Sequence, residues 1–278
     1  MGDNRSFAVV TPNYNMGQYL ARTIESVLRN LRPGDQYFVI DGGSTDGSVE
    51  IICSYEKHLA GWVSEPDHGY ADAIAKGFQR SDSANLCWIN CGDLLLDGAL
   101  DEARERLSSA HASMIFGDDF YIDETDHVIF LSHGKARSLK DMMLHGGWTP
   151  LQDACFWTRA LYDAVGGFNV ELKYAADYDL FLRMSMAGRC EYVPLAFSAF
   201  RKHDGQKSIQ GRMEYQRERE RCRVAALQRG GSPWSRQQLL GMYYWIAVRV
   251  RSRILHNLYQ SQQYAGEPIS ALACRAYN

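Results

Sequence analysis

The sequence predicts an α/β protein: a mainly parallel, Rossmann-type sheet flanked by helices, with a helical extension at the C-terminus. Three observations predict it. Short apolar runs alternate with helical apolar spacing through the first half of the chain. The runs at 7–10, 37–40 and 86–89 are apolar at consecutive positions, as in strands buried on both faces. The 278 residues are 46% apolar and 23% charged, with a net charge of −3. That composition suits a folded chain able to bury a large core, and it excludes a disordered tail, a collagen-like fibre and a small disulfide scaffold.

The elements follow in order. Residues 7–10 form the first strand. Leu20, Ile24, Val27, Leu28 and Leu31 then recur at helical spacing, and Pro33-Gly34 ends that helix. Residues 37–40 are the second strand, and Ser44-Thr45-Asp46-Gly47 opens a helix carrying Val49, Ile51 and Ile52. Trp62 and Val63 make a third, shorter strand. A helix over 70–78 and a buried strand over 86–89 come next, and Asp97 caps a helix with Leu100, Ala103 and Leu107. The second half is less regular. Strands are expected over 114–116, 120–122, 128–131 and 192–200, the last containing Pro194, with helices over 158–165 and 178–186. A linker is expected near 204–211, dividing a domain of residues 1–205 from a basic helical region of residues 206–278.

The charge is unevenly placed. Residues 1–200 carry 16 Lys/Arg against 28 Asp/Glu, whereas residues 201–260 carry 13 against 4. An acidic body with a basic segment implies two tasks and argues against a dedicated nucleic-acid binder. The seven cysteines are odd in number and contain no Cys-x-x-Cys, which points to reduced, buried thiols in a cytoplasmic protein. No apolar signal region follows Met1, and the longest apolar run, 239–248, is too short to span a bilayer.

In parallel sheets, ligands gather outside the carboxyl ends of the strands. Here those positions are Thr11-Pro-Asn-Tyr-Asn15, Asp41-Gly-Gly-Ser-Thr-Asp46, Ser64-Glu-Pro-Asp67 and Asn90-Cys-Gly-Asp93. All are polar and three contain carboxylates, which repel one another unless cations or hydrogen-bond donors are present. The segment 41–47 suits a nucleoside, with exposed amides and a carboxylate to accept from base or ribose; it suits a capped strand-to-helix turn equally well. Asp93 is either an oxygen ligand for a hard cation facing a diphosphate or a plain loop aspartate. Asp177 and Asp179 diverge on a helix. Arg183, four residues beyond Asp179, is its natural partner, which leaves Asp177 as a general base or a helix cap. His203 is a candidate metal or phosphate contact, or neither.

Taken in order, these segments resemble the family 2 glycosyltransferases, from Val9 to about Ser208. The matching stretches are Thr11 to Asn15, Ile40 to Ile52, Trp62 to Gly77, Ile89 to Asp93, Gly166-Gly-Phe168, Asp177 to Arg183 and Phe200-Arg-Lys-His203. The resemblance implies a GT-A fold over residues 1–205 and an inverting sugar transfer from a nucleoside-diphosphate sugar. Thr11, Pro12, Asn13, Tyr14, Asp41 and Gly43 would border the nucleoside. Asp67 and Asp72 would line the ribose and phosphate side, with Lys76, Asn90 and Gly92 also at the donor. Asp93 matches the last aspartate of the family's metal motif and would hold Mg²⁺ or Mn²⁺, with His203 near the diphosphate or metal. Asp177 matches the family's base. Trp148, Gln152 and Asp179, with His145, are placed on the acceptor side. Three positions depart from the pattern. Gly92 stands where many members carry the first metal-motif aspartate, Ala75 where close relatives have asparagine, and Ala176 where the base has an acidic neighbour.

The acceptor implied by the resemblance is a glycan or lipid-linked glycan of a bacterial surface, with no nucleic acid involved. Leu239, Tyr243, Ile246, Val250, Ile254 and Leu258 recur every three or four residues, with Arg249, Arg251 and Arg253 among them. That pattern suits a helix lying on anionic lipid at the inner face of the cell membrane, or one packed on the body or on a second copy in a homo-oligomer. Two rival functions stand beside the transferase. A sugar nucleotidyltransferase would want a basic triphosphate loop near the N-terminus, but Thr11 to Tyr19 holds no Lys or Arg. A non-catalytic binding module would not need Asp93 and Asp177.

Overall fold

The computed structural model describes residues 5–109, 112–134, 138–146, 149–203, 211–229 and 260–274. The first half builds the parallel part of the sheet from β1 (Phe7–Asn13), β2 (Gln36–Asp41), β3 (Gly61–Ser64) and β4 (Asn85–Trp88). Helices α1 (Gly17–Leu28), α2 (Ser48–Tyr55) and α3 (Tyr70–Gln79) connect them. The consecutive apolar runs have the expected cause. Alternate residues of a strand face opposite sides, and here both sides are covered. Phe7, Val9, Tyr37, Val39 and Cys87 join the cluster that takes in Leu20, Ile24 and Val27 of α1. Ala8, Val10, Phe38, Ile40, Leu86 and Trp88 join the cluster under α3.

Contact between α3 and β1 depends on one glycine. A Cβ at Gly77 would lie 2.5 Å from Val10 Cγ2 and 2.6 Å from Cγ1. Gly77→Ala is therefore expected to destabilise the fold by about 1–3 kcal/mol, because the strain of overpacking exceeds the gain in helix propensity. A lowered urea midpoint with unchanged slope checks this.

The second half adds β5 (Leu94–Leu95), α4 (Ala99–Ser108), β6 (Met114–Ile122), β7 (Val128–Ser132), α5 (Leu139–Gly146), β8 (Cys155–Thr158), α6 (Arg159–Ala164), α7 (Ala176–Ala187), β9 (Cys190–Arg201), α8 (Arg212–Arg229) and β10 (Gln260–Ser261). Strand order is β10-β7-β6-β8-β4-β1-β2-β3, with β9 parallel to β6 and antiparallel to β5. The sheet is thus mixed: parallel from β3 to β4, and antiparallel from β8 to the β10 edge.

Several expectations are corrected. The two short strands over 114–122 are one strand, irregular where it passes Gly117, Asp118 and Asp119. Asp97 does not cap α4; Gly98 does so with a left-handed backbone, and Asp97 pairs with Arg29 at 2.9 Å. Strand β8, lying between β4 and β6, was not expected from the sequence. Described segments beyond residue 205 pack on the body. Helix α8 lies against α5 and α7, and β10 pairs with β7. Ile269 and Leu272 complete a third apolar cluster with Phe120, Ile122, Val128 and Leu131. Of the expected linker (204–211), residues 204–210 lie outside the described residues, as does the whole amphipathic stretch (234–259). No helix among the described residues is long and apolar enough to cross a membrane.

Candidate active site

The ends of β1, β2 and β3 stand level, with Asn13 opposite Asp41 and Asp41 opposite Ser64. Asp41 is buried and its oxygens are well supplied with donors. It accepts from Asn13 Nδ2 at 2.6 Å, Ser44 Oγ at 2.5 Å, Ser44 N at 2.9 Å, Ser64 Oγ at 2.6 Å and Gly43 N at 3.1 Å. Burial alone would raise its pKa, but the donors from Ser44, Ser64 and Asn13 outweigh it and hold the carboxyl below its usual range. Asp41 therefore ties three strand ends together. The Thr11 hydroxyl is buried against Tyr37 OH at 2.9 Å, so it points into the core beneath the rim, and Pro12 is buried beside it. Tyr14 is the exposed aromatic of the rim, at 61%.

Opposite this loop, Asp67 accepts from Gly69 N at 2.8 Å. A Cβ at Gly42 would fall 2.9 Å from Asp67 Oδ2, so the missing side chain lets the two loops close on each other. Lys76 bridges Asp72 and Glu65, each at 3.3 Å. Asn13, Asp41 and Asp67 thus meet at one rim, whereas Thr11 and Pro12, expected at the nucleoside, are buried beneath it.

Asp93 sits on the next loop. Gly92 has φ +108, a backbone conformation that favours glycine. Its N–H donates to Thr23 Oγ1 at 3.0 Å and its carbonyl accepts from Arg201 Nε at 2.8 Å. Asp93 Oδ1 accepts from Arg201 N at 3.0 Å, while Oδ2 lies 3.5 Å from the side-chain amides of both Asn90 and Gln152. Burial, and then the charge of Asp153, push the Asp93 carboxyl well up. Burial raises Asp119 and Asp153 too; they face each other, and Ser198 donates to Asp119 at 2.9 Å. No group of three or more His, Cys, Asp or Glu among the described residues forms a metal cage. The donor set still fits a cation. Asp93 Oδ2 is loosely held beside the buried carboxyls of Asp119 and Asp153, and a hard cation takes its remaining ligands from phosphate and water. His203 follows Arg201 by two residues and packs its ring 5.7 Å from that of Tyr19.

Asp177 lies in the first turn of α7. Phe181 of that helix stacks on Trp88 at 5.6 Å and meets Trp157 edge-on at 5.9 Å, which locks the helix to the sheet. Arg183 grips Asp179 at 2.7 Å, so Asp179 is committed to an ion pair and is not offered to an acceptor. Asp177 keeps a buried Oδ1 without a donor, and burial pushes its carboxyl up to about 6. Residues 152–155 feel both Asp93 and Asp177. Gln152 approaches Asp93, and the buried Cys155 thiol, three residues on, feels the charges of Asp153, Asp177 and Asp119. His145 lies in α5, and Trp148 lies outside the described residues.

The sequence reading missed Asp119, Asp153, Tyr70 and Glu218, and it named Arg201 without a role. Two adjacent aspartates in the otherwise apolar run 114–122 were the available signal for Asp119. Nothing local marks the others.

A family model described as glycosyl transferase family 2 matches residues 8–163. The glycosyltransferase Rv1514c of Mycobacterium tuberculosis is 29% identical over 191 residues, which is 68% of this chain and 71% of its own. A PGL/p-HBAD biosynthesis glycosyltransferase of Mycobacterium bovis is 25% identical over 185 residues, covering 64% and 68%. Among solved structures, S. aureus TarS 1-349 in complex with UDP-GlcNAc superimposes with a TM-score of 0.66 at 15% identity, over 86% of this chain and 71% of that one. The mannosyltransferase PcManGT of Pyrobaculum calidifontis, in complex with GDP-Man and Mn²⁺, gives 0.57 at 16% identity, over 80% and 64%. A longer TarS chain is matched over only 37% of its length. At these identities the structures speak for the fold, which is of the GT-A type. With a carboxylate-rimmed parallel sheet and a family model spanning more than half of its length, the chain belongs to glycosyl transferase family 2.

Proposed function

We propose that this glycosyltransferase is inverting and metal-dependent, and that it moves a sugar from a nucleoside-diphosphate donor to a hydroxyl of a bacterial surface polysaccharide or lipid-linked glycan. The observation that carries the reading is that two buried carboxyls act on the one segment 152–155, Asp93 through the Gln152 amide and Asp177 through its charge on Cys155. Solved neighbours holding UDP-GlcNAc, or GDP-Man with Mn²⁺, support the donor class.

Asp177 accepts the proton of the acceptor hydroxyl. That oxygen bonds to the anomeric carbon as the bond to the donor phosphate breaks on the opposite face, so one displacement inverts the configuration. A carboxyl pushed up to about 6 is ionised at neutral pH and is a stronger base than an ordinary aspartate. Asp93, with His203 nearby, would hold Mg²⁺ or Mn²⁺, which when bound offsets charge on the leaving diphosphate. Asn13, Asp41, Ser44 and Ser64 form a pre-bonded floor for the nucleoside, and Asp67, Asp72 and Lys76 form its side wall. Alignment of the two substrates supplies much of the rate. The basic stretch 234–259 is assigned to an anionic membrane surface, a point that flotation with anionic vesicles tests.

A melting-temperature screen of nucleoside diphosphates, each with and without Mn²⁺, tests the function. One nucleotide should raise the melting temperature, more so with Mn²⁺, and its sugar derivative should be hydrolysed slowly without acceptor. No shift with any nucleotide and no hydrolysis would overturn the reading.

A further inference from the structure

Helix α7 begins without a cap of its own. Ala175 precedes it, Ala176 is its first residue, and the N-cap residue offers no side chain to the leading N–H groups. Such groups are costly to leave unpaired when buried. Five consecutive N–H groups, from Lys173 to Asp177, are nevertheless satisfied by two distant side chains. Glu218 of α8 accepts from Lys173 N on Oε1 at 3.3 Å, and from Tyr174 N and Ala175 N on Oε2, both at 2.9 Å. The hydroxyl of Tyr70, the first residue of α3, accepts from Ala176 N at 3.1 Å and Asp177 N at 3.3 Å, and donates to Tyr174 O at 3.2 Å.

We propose that Tyr70 and Glu218 are positioning residues for Asp177, so that the base is set by the donor-side helix and the C-terminal helix together. The proposal rests on Asp177 being the base. Tyr70 directly follows the Asp67-His68-Gly69 turn, whose carboxylate lies against Gly42 of the nucleoside loop. One hydroxyl therefore joins the loop expected to hold the donor to the backbone of the residue that takes the proton, and a small displacement there is enough to spoil the attack geometry. Glu218 is 8% exposed, and its charge strengthens all three bonds it accepts. The titratable groups around Asp177 are Tyr70 of α3, Tyr215 and Glu218 of α8, and Cys155 of β8. Of these, the Tyr70 hydroxyl, whose proton lies within reach of Tyr174 O and of the Asp177 carboxyl, favours the ionised carboxyl against the effect of burial.

The test uses the full chain with Mn²⁺ and the nucleotide sugar selected by the melting screen, following release of nucleoside diphosphate. Tyr70→Phe keeps the ring and removes the hydroxyl. It is expected to lower kcat by about tenfold, leave the donor KM within about twofold, and move the acid limb of the pH profile upward. Glu218→Ala is expected to lower kcat similarly. Glu218→Gln should recover most of it, because one amide oxygen can take the two shorter bonds. Unchanged kcat and an unmoved acid limb in Tyr70→Phe would overturn the proposal. So would losses in Tyr70→Phe and Glu218→Ala that follow thermal stability alone, with no recovery in Glu218→Gln. Full turnover in Asp177→Asn would instead remove the base assignment itself, so the two failures are distinguishable.

Discussion

Asp177→Asn is expected to lower kcat by about 10²–10⁴-fold while leaving nucleotide binding nearly unchanged. Asparagine matches the carboxylate in shape but cannot accept a proton. Helix α7 is held by backbone bonds to Glu218 and Tyr70 and by the Trp88–Phe181 stack, all of which the change leaves in place. The wild-type rate should fall below a pH of about 6, where the buried carboxyl takes up its proton, and that limb should be missing from the residual activity of the variant. Stability moves the other way. Burial raises the folded-state pKa above its ordinary value, so the fold favours the protonated form. That contribution is complete below the unfolded pKa and is lost as pH rises through about 6. At pH 7.5 the variant, which carries no buried charge there, should melt at a higher temperature than the wild type. Lost turnover with gained stability is a pair of outcomes that damage to the fold does not produce.

Arg201→Ala is expected to cost about 3–5 kcal/mol, a fall in melting temperature of about 10 °C for a chain of this size. The guanidinium is wholly buried. It donates to Gly92 O and Asp123 O, both at 2.8 Å, pairs with Asp126, and lies 4.8 Å over the Tyr19 ring. Removing it leaves two carbonyls without their donor. Asp126 would keep Arg22 as a partner, at 3.0 Å. Arg201→Lys should recover only part of the loss, because an ammonium cannot reproduce the fork. Differential scanning calorimetry of the three proteins checks the order.

The parallel half of the fold was legible because its signal is local. Strands covered on both faces must be apolar at successive positions, and β1, β2 and β4 are. The rim was legible because backbone geometry there demands particular residues, such as Gly92 at φ +108. The remainder depended on partners far away in sequence. Strand β6 carries Asp118 and Asp119, which interrupt its apolar run. They are tolerated only because Tyr192, His133 and Ser198 supply hydrogen bonds at 2.7, 2.9 and 2.9 Å. Helix α7 starts two residues before the expected position because its cap comes from α3 and α8. Arg201 was visible in the Phe200-to-His203 motif, but a basic residue gives no sign that it will be buried. Strand β10 is two residues long, too short for any pattern to declare it.

The return of residues 260–274 to the sheet changes how the basic stretch can be studied. The segments on both sides of that stretch belong to the body, α8 before it and Ile269 and Leu272 after it. Cutting the chain at residue 234 would strip side chains from the interior along with any lipid contact. Replacing residues 234–259 by a flexible spacer would leave those interior side chains in place, and only that version separates anchoring from folding.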